Sequence, residues 1–373
     1  MLLLRGARVW APEDLGTTTV LVGGERILAI GVPAEPPPGW GVEVVDLDGC
    51  TLIPGLVDLH VHLTGGGGEG GPETRVPPLV PASLARSGVT TAVGLLGTDC
   101  TTRSVAELLA CAHAVRAMGL SAWIHTGGYE VPPPTLTGSV RGDIVHVPTI
   151  VAVGEVAISD HRSSQPTYDE LVRVAADAHV AGMMSRKAGL VHLHLGDGRR
   201  GLELLRRAMA ETELPRRVFH PTHVNRNPSL WEEALDWSKE GGWIDVSAFP
   251  PPYDDGTVDP TAALLRYLGD GRDPGRVTLS SDAGGCLPTF DREGVLLGME
   301  VGNAEGLLGV VRALLDAGVP PERALAPVTT NPARLYRFAG KGRVAPGADA
   351  DLVVLGEDRA VRSVLARGRW VLR

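Results

Sequence analysis

A repeating alternation of strand and helix patterns fills the middle of the 373-residue chain and restricts its fold more than any other feature. From about residue 52 to residue 336, short apolar runs alternate with amphipathic helical runs at spacings of roughly 25 to 40 residues. Eight strand patterns predict a closed (β/α)8 TIM barrel, and an open doubly wound sheet with the same local pattern is the alternative. The predicted strands are Leu52–Leu63, Thr90–Gly97, Ser121–Thr126, Val151–Ser159, Leu190–Gly196, Arg217–Val224, Trp243–Ala248 and Val277–Ser281.

Helix patterns follow most of these strands. In the first of them, Ser104 is placed to cap a helix whose apolar residues share one face. The predicted helices are Ser104–Met118, Tyr168–Met184, Gly201–Ala210, Leu230–Lys239 and Leu307–Ala317.

The two ends of the chain have a different pattern from its middle. Residues 1–51 and 343–373 alternate in the manner of short strands, and the first of these segments carries no helix pattern. The sequence therefore predicts a small β-sandwich domain, built from residues 1–51 and 343–373, beside a barrel domain of residues 52–342.

Composition excludes several classes of partner. The formal net charge is -9, and no basic block is present that could follow a nucleic-acid backbone. No apolar run approaches the ~20 residues that a membrane helix needs. The four cysteines are scattered without CxxC pairs, which indicates neither a disulfide framework nor a zinc ribbon. We therefore expect a cytoplasmic protein that acts on a small molecule.

Histidines and acids stand at the ends of several predicted strands. His60 and His62 are two residues apart in a strand, so both imidazoles lie on one face and can bind one ion. His194, His223 and Asp282 end later strands, and in a closed barrel these ends meet at the same mouth. Isolated core histidines would have no reason to recur at such positions.

A pair of ions would need a bridging anion, and the fourth strand offers Glu155 in apolar surroundings. The sequence thus predicts two divalent ions per chain, most simply zinc, on His60, His62, Glu155, His194, His223 and Asp282. The remaining histidines are interpreted as structural or surface residues: His113, His125, His146, His161, His179, His192 and His220.

A glycine-rich segment, Gly65–Gly70, also fits the GxGxxG pattern of dinucleotide-binding proteins. Its context argues against that function. Pro77 and Pro78 follow where a helix should begin, and no acid ends a second strand some 20 residues later.

Several motifs resemble the amidohydrolase superfamily and, within it, the β-aspartyl (isoaspartyl) dipeptidases. The resemblance extends over nearly the whole chain, and the loop GGGGE and the motifs LLGTD, ISDHR and PTHVNRN are its most specific parts. The matching stretches are His60–Leu63, Gly65–Glu69, Leu95–Asp99, Thr126–Tyr129, Ile158–Ser163, Pro221–Asn227, Ser280–Asp282 and Gly347–Leu352.

The resemblance implies a role for each matching residue. One ion would bind His60, His62 and Asp282, the other would bind His194 and His223, and position 155 would bridge them. Asp282 would serve as general base and acid toward a metal-bridging hydroxide, and Tyr129 would stabilise the developing oxyanion. The residues that would bind a small dipeptide substrate are Glu69 for its ammonium group, Arg162 and Arg226 for its carboxylates, and Thr98, Tyr129 and Cys286.

Two positions depart from the family pattern. Such dipeptidases usually carry a carbamylated lysine where this chain has Glu155, and a serine is expected where it has Cys286. Glutamate keeps the bridging charge, so we expect activity without carbon dioxide. The resemblance also implies a homo-oligomer, specifically an octamer. Two alternatives remain open, namely hydrolysis of a cyclic amide or N-acyl amino acid, and a metal-free assembly protein.

Overall fold

The computed structural model describes residues 1–37, 39–251, 256–291 and 293–373. The strands in these ranges are β1 (Leu2–Arg5), β2 (Arg8–Trp10), β3 (Asp14–Thr17), β4 (Val20–Gly23), β5 (Arg26–Ile30), β6 (Glu43–Asp46), β7 (Thr51–Pro54), β8 (Leu56–Val61), β9 (Val89–Gly94), β10 (Ser121–Thr126), β11 (Ile150–Ile158), β12 (Val191–Leu195), β13 (Phe219–Thr222), β14 (Ile244–Ser247), β15 (Val277–Ser280), β16 (Cys286–Phe290), β17 (Leu296–Val301), β18 (Leu352–Leu355), β19 (Val361–Ala366) and β20 (Arg369–Leu372).

The α-helices in the same ranges are α1 (Pro81–Arg86), α2 (Val105–Ala117), α3 (Val140–His146), α4 (Tyr168–Ser185), α5 (Glu203–Glu211), α6 (Pro228–Lys239), α7 (Pro260–Gly269), α8 (Glu305–Asp316), α9 (Pro321–Leu325) and α10 (Thr330–Leu335). Short 3-10 turns occur at Pro72–Thr74, Arg216–Val218, Pro274–Arg276 and Ala326–Val328. Where a helix was predicted, one is present within about three residues, and Ser104 does cap α2 by accepting a hydrogen bond from the Glu107 amide.

The strands β8 to β15 form the barrel. The strands β8 to β13 are hydrogen-bonded in chain order and run parallel, and β14 pairs in parallel with β15. The barrel closes because β13 packs beside β14, β15 packs beside β8, and Val61 forms a parallel bridge with Ala283. The predicted (β/α)8 barrel is confirmed, and the open sheet is excluded since its first and last strands would not meet.

The first predicted strand, Leu52–Leu63, is wrong as a single strand. It divides at Gly55 because Thr51–Pro54 pairs antiparallel with β18 and parallel with β2, while Leu56–Val61 belongs to the barrel. Glycine is required at the junction, where a Cβ atom would lie 2.1 Å from Oγ1 of Thr90. We keep the two-domain division as a proposal and move its first boundary from residue 51 to Gly55.

Both chain termini build the smaller β structure. One sheet has the order β5-β4-β1-β6, and the other has the order β20-β19-β18-β7-β2-β3. Buried apolar side chains of both sheets form one cluster, to which Leu4, Val22, Ile27, Val9 and Leu352 belong. The predicted β-sandwich from the two termini is therefore confirmed, since two sheets enclosing one apolar layer define that architecture.

A hairpin of β16 and β17 follows the last barrel strand, and the sequence analysis did not predict it. Its residues are half-buried or exposed, so the segment lacks the alternation of a strand with one buried face. It stands at the mouth of the barrel and contributes to the wall of the main cavity. Within the described ranges, no helix combines the length and apolar character needed to cross a membrane.

Candidate active site

The carboxyl ends of the barrel strands bring the six predicted metal ligands together. All six are at most 5% exposed, and three overlapping groups of them are close enough to share an ion. The parallel arrangement of the strands explains this convergence, because each strand ends at the same rim. The six residues are His60, His62, Glu155, His194, His223 and Asp282.

The Glu155 carboxylate lies between two sets of nitrogen donors. Its Oε1 atom is 3.5 Å from His60 Nε2 and 3.4 Å from His62 Nε2. Its Oε2 atom is 3.1 Å from His194 Nδ1 and 3.5 Å from His223 Nε2. One oxygen therefore faces each pair of imidazoles, which is the arrangement of a bridging ligand.

Asp282 completes the first set of donors. Its Oδ1 atom is 3.5 Å from His60 Nε2 and 3.1 Å from His62 Nε2. A tetrahedral zinc ion with bonds of about 2.0–2.2 Å holds its ligand atoms about 3.3–3.6 Å apart. The separations found here are close to those values, so these donor atoms are spaced to share a divalent ion.

The polar atoms of this cluster also indicate a missing partner of positive charge. Among the described residues, His60 Nε2 and Asp282 Oδ1 are buried without a hydrogen-bond partner. Burial alone would raise the pKa of Glu155, but the charge of His60 and hydrogen bonds from His194 and His223 outweigh it and hold that pKa well below its ordinary value. An anionic carboxylate among imidazole nitrogens is a suitable environment for a metal cation.

A row of buried hydrogen-bonded groups beneath the metal ligands keeps a proton on Nδ1 of His60. Thr278 donates its hydroxyl proton to Asp245, so its oxygen accepts from His220 Nε2 at 3.0 Å. His220 Nδ1 then accepts from His192 Nδ1 at 3.0 Å, and His192 Nε2 accepts from His60 Nδ1 at 2.9 Å. The proton on Nδ1 of His60 is thus committed to His192, and Nε2 is the atom that faces Glu155 and Asp282.

The row agrees with the interpretation of His192 and His220 as structural residues. Burial lowers the pKa of His220 to about 4 and that of His192 well below its ordinary value, so both rings are neutral near pH 7. His125, also buried, contacts Tyr336 Oη through Nε2 at 2.9 Å.

Two of the clustered residues have strained backbones. His223 has φ 60° and Asp282 has φ 55°, and both therefore occupy the left-handed region that residues with a side chain rarely adopt. His223 Nδ1 lies 2.7 Å from Ser247 Oγ, which leaves Nε2 for Glu155. Strain of this kind is common where side-chain placement matters more than local stability.

A cavity of about 1130 Å³ opens above the cluster. The predicted substrate residues all line it, together with part of the β16–β17 hairpin. They are Glu69, Thr98, Tyr129, Arg162, Arg226 and Cys286. The sequence motifs that carry these residues are distant in the chain, and the barrel brings them to one wall.

Glu69 is the centre of a small polar group in this wall. Thr98 Oγ1 donates to it at 2.9 Å, Cys286 Sγ lies 3.2 Å from each of its oxygens, and Arg162 Nη1 lies 3.4 Å away. Burial and the charge of Glu69 raise the pKa of the Cys286 thiol, so the sulfur is a neutral donor and not a nucleophile. Thr98 therefore binds Glu69, whereas the sequence analysis assigned its hydrogen bond to substrate.

Aromatic rings hold the two predicted carboxylate-binding arginines. The Arg162 guanidinium lies over Tyr129 and over Phe290, each 5.6 Å from the ring centre. Arg226 lies 5.8 Å from the ring centre of Phe249. Stacking restricts these side chains while leaving guanidinium edges open to the cavity.

Sequence reasoning missed four contributors to the site, namely Asp160, Arg103, His161 and Phe290. Asp160 contacts both His194 and Arg162, and Arg103 is buried beneath the glycine loop, where it donates to the carbonyls of Thr64, Gly66 and Val76. His161 was assigned away from the mouth, but it lines the cavity and packs edge-on against Phe290 of the unpredicted hairpin. Only Asp160 and His161 had a signal, because they belong to the ISDHR motif.

A closed (β/α)8 barrel that places four histidines and two acids at its mouth, with spacings suited to divalent ions, defines the class of this protein. It is a hydrolase of the amidohydrolase superfamily, and a family model described as the amidohydrolase family matches residues 259–371.

Similar proteins narrow this assignment. The chain is 41% identical to the β-aspartyl dipeptidase of Fervidobacterium islandicum in a crystal structure with β-Asp-Leu, with a TM-score of 0.94 over 100% of this chain and 97% of that one. A second structure of that enzyme gives 40% identity and a TM-score of 0.91 with the same coverage. A dihydroorotase of Lactiplantibacillus plantarum is 25% identical over 95% of this chain and 89% of its own length. The chain belongs to the β-aspartyl dipeptidase family.

Proposed function

We propose that the protein is a binuclear metal-dependent peptidase that hydrolyses β-aspartyl dipeptides. The observation that carries the proposal is the position of Glu155, which faces two donor sets beside a wall that holds one acid and two arginines. Donor atoms suited to two cations and a wall suited to a zwitterion together match the chemistry of such a substrate. The similarity to a dipeptidase crystallised with β-Asp-Leu supports the same substrate class.

Two divalent ions, most simply zinc, are the proposed cofactors. His60, His62, Asp282 and one oxygen of Glu155 would hold one ion, while His194, His223 and the other oxygen of Glu155 would hold the second. When bound, such ions lower the pKa of a water molecule toward neutrality and polarise an amide carbonyl.

The protein's own groups supply the proton transfers. Burial raises the pKa of Asp282, but the charges of His60 and His62 outweigh that effect and keep the carboxylate anionic. Asp282 is therefore able to accept a proton from the attacking water and to deliver it to the leaving amine. Burial raises the pKa of Tyr129 well above its ordinary value, so its hydroxyl remains a donor for the oxygen that becomes anionic.

Charge complementarity would orient the dipeptide. Glu69 faces the cavity with a negative charge for the α-ammonium group, while Arg162 and Arg226 offer positive charges for carboxylates. Thr98 and Cys286 hold the Glu69 carboxylate in place through hydrogen bonds. A cyclic amide lacks the ammonium group and would form no ion pair with Glu69.

Comparing substrates tests the proposal directly. Purified enzyme supplied with zinc is assayed with β-Asp-Leu, α-Asp-Leu and a hydantoin under the same conditions. We expect the highest kcat/KM for β-Asp-Leu. If the hydantoin is the better substrate, the protein is a cyclic amide hydrolase, to which the dihydroorotase similarity would then point.

Metal content separates an enzyme from a metal-free assembly protein. We expect two ions per chain after growth with zinc, measured by inductively coupled plasma mass spectrometry. Less than about one ion per chain and no hydrolysis would contradict the catalytic function.

The assembly and cellular location of the protein remain predictions. We keep the homo-octamer that the resemblance implies, and light scattering of the purified protein would measure it. The cytoplasmic location agrees with the four cysteines, all of which are free thiols in the structure.

A further inference from the structure

The Asp160 side chain lies between the donor cluster and the substrate wall, and the mechanism above does not use it. The residue follows β11 and the left-handed Ser159, whose φ is 53°. Asp160 is only 6% exposed. A buried carboxylate must have partners that offset the cost of removing it from water.

Among the described residues, the partners of the Asp160 carboxylate are His194 and Arg162. Its Oδ2 atom is 2.9 Å from His194 Nε2 and 2.8 Å from Arg162 Nη2. Its Oδ1 atom accepts from Arg162 Nε at 3.1 Å and from the Arg162 amide at 2.7 Å. Both oxygens therefore accept from the Arg162 guanidinium, a charged donor that suits an anionic carboxylate.

The contact with Asp160 decides which nitrogen of His194 can bind an ion. Because an anionic oxygen only accepts, Asp160 holds a proton on His194 Nε2, and Nδ1 is the nitrogen left for an ion. Nδ1 is also the atom that lies 3.1 Å from Glu155 Oε2. The close approach of Arg162 Nη2 to His194 Nε2, at 3.3 Å, joins two donors and is therefore not a hydrogen bond.

The same carboxylate decides which edge of Arg162 faces the cavity. Asp160 occupies Nε and Nη2 side-on, and the rings of Tyr129 and Phe290 cover the guanidinium. Nη1 is left on the cavity side, where it contacts Glu69 at 3.4 Å. An arginine held in this way offers its end and not its side to an incoming carboxylate.

We propose that Asp160 is a positioning residue that orients a metal ligand, His194, and a substrate-binding group, Arg162, through one carboxylate. The inference rests on the proposed function for the roles of those two residues. It connects occupancy of the second ion with recognition of the substrate carboxylate, because displacement of Asp160 disturbs both.

Asp160→Asn is the first test, since it preserves size and removes the charge. One of its two polar atoms becomes a donor that opposes either His194 or Arg162. We expect affinity for the second ion to fall about 10- to 100-fold, as measured by zinc content after dialysis against graded chelator. We also expect KM for β-Asp-Leu to rise about tenfold or more, because a charge-assisted hydrogen bond is weakened.

Arg162→Met separates the two effects. It should raise KM while leaving zinc content unchanged, and in the double variant with Asp160→Asn the two KM effects should not multiply. Asp177→Asn is the matched control because it breaks an exposed pair with Arg141, 2.7 Å long, and should alter neither readout. Asp160→Asn with normal zinc affinity, or with a normal KM for β-Asp-Leu, would overturn the proposal.

Asp160→Glu covers the case in which Asp160→Asn does not fold. Glutamate keeps the charge but moves it by the length of one methylene. The fall in zinc affinity and the rise in KM should therefore both recur, each smaller than in Asp160→Asn. Wild-type values for both would contradict a positional role. If the wild-type enzyme binds zinc but fails to cleave β-Asp-Leu, the proposed substrate is wrong, whereas the zinc measurement still tests the link from Asp160 to His194.

Discussion

Replacing Glu155 by glutamine should remove the second metal ion. The amide keeps the shape of the side chain but loses the negative charge and one of the two oxygens that face the donor sets. One set of donors therefore loses a ligand atom. The second ion would then keep only His194 and His223 as protein ligands. Outer-sphere partners alone are worth about 10- to 100-fold in metal affinity. Loss of a direct ligand should therefore cost at least about 100-fold, or roughly 3 kcal/mol.

Zinc content after dialysis against a graded series of chelator concentrations measures this effect. We expect two ions in the wild type, about one in Glu155→Gln, and activity below about 1% of wild type. Glu211→Gln is the control, since that acid is exposed and pairs with Arg207 on the same helix. Retention of both ions with normal activity in Glu155→Gln would refute the bridging role.

Bicarbonate provides an independent check of the same residue. The three lysines of the chain all lie elsewhere: Lys187 donates to backbone carbonyls, Lys341 pairs with Asp349 and Asp351, and Lys239 ends α6. No lysine is thus available for a carbamate at the centre. Removal of carbon dioxide should leave the rate of the native enzyme unchanged, and a rate that falls and recovers with bicarbonate would contradict this.

Three further outcomes are expected. Tyr129→Phe should lower kcat about 100-fold or more with zinc content unchanged, because it removes the donor to the developing oxyanion, and a normal kcat would exclude that role. Gly97→Ala should weaken zinc binding at least about tenfold, since its Cβ would lie 2.8 Å from Cε1 of the proposed metal ligand His62. In the control Gly309→Ala, the added Cβ meets nothing within 4 Å, and the substitution should stabilise α8 by about 1 kcal/mol. Burial lowers the pKa of His125 to about 3, so the unfolded chain binds its proton first and stability should fall below about pH 6.5. Denaturant titrations at pH 7 and pH 5 measure the free energy of unfolding. Between these two pH values, His125→Asn should lose about 2 kcal/mol less of this free energy than the wild type. Equal losses would contradict the low pKa.

The barrel and the donor cluster were accessible from sequence because both follow from local periodicity. Apolar runs of β-branched residues marked the strands, and the polar residues that end them had to meet at one rim. His60, His194 and Asp282 were thus predicted from position alone. The assignment of Glu155 needed the additional argument that an acid in an apolar strand requires cationic partners.

The remaining features depend on contacts that no local pattern encodes. Arg103 lies just before a helix and gives no sign that it will be buried under the glycine loop. Asp160 was visible in its motif, yet its double contact depends on the position of β12 beside β11. The hairpin that carries Phe290 has neither a buried face nor a clear alternation, and Thr51–Pro54 was joined to the barrel because both segments are equally apolar.

The buried row from Asp245 to His60 means that the apoprotein already prefers one proton arrangement for its metal site. Each group in the row donates its hydrogen bond only toward the next group. If one imidazole reversed its direction of donation, every other group would have to reverse as well, or a buried donor would lose its acceptor. Each buried donor without an acceptor costs about 1–3 kcal/mol. Burial would lower the pKa of His60, but the carboxylates of Glu155 and Asp282 outweigh it and raise that pKa to about 9. An arriving ion therefore displaces a proton from Nε2, while Nδ1 keeps its hydrogen bond to His192. Even Thr278→Val, a small substitution far from the ion, would remove the hydroxyl that accepts from His220 and donates to Asp245. The row would then lose the group that sets its direction of donation.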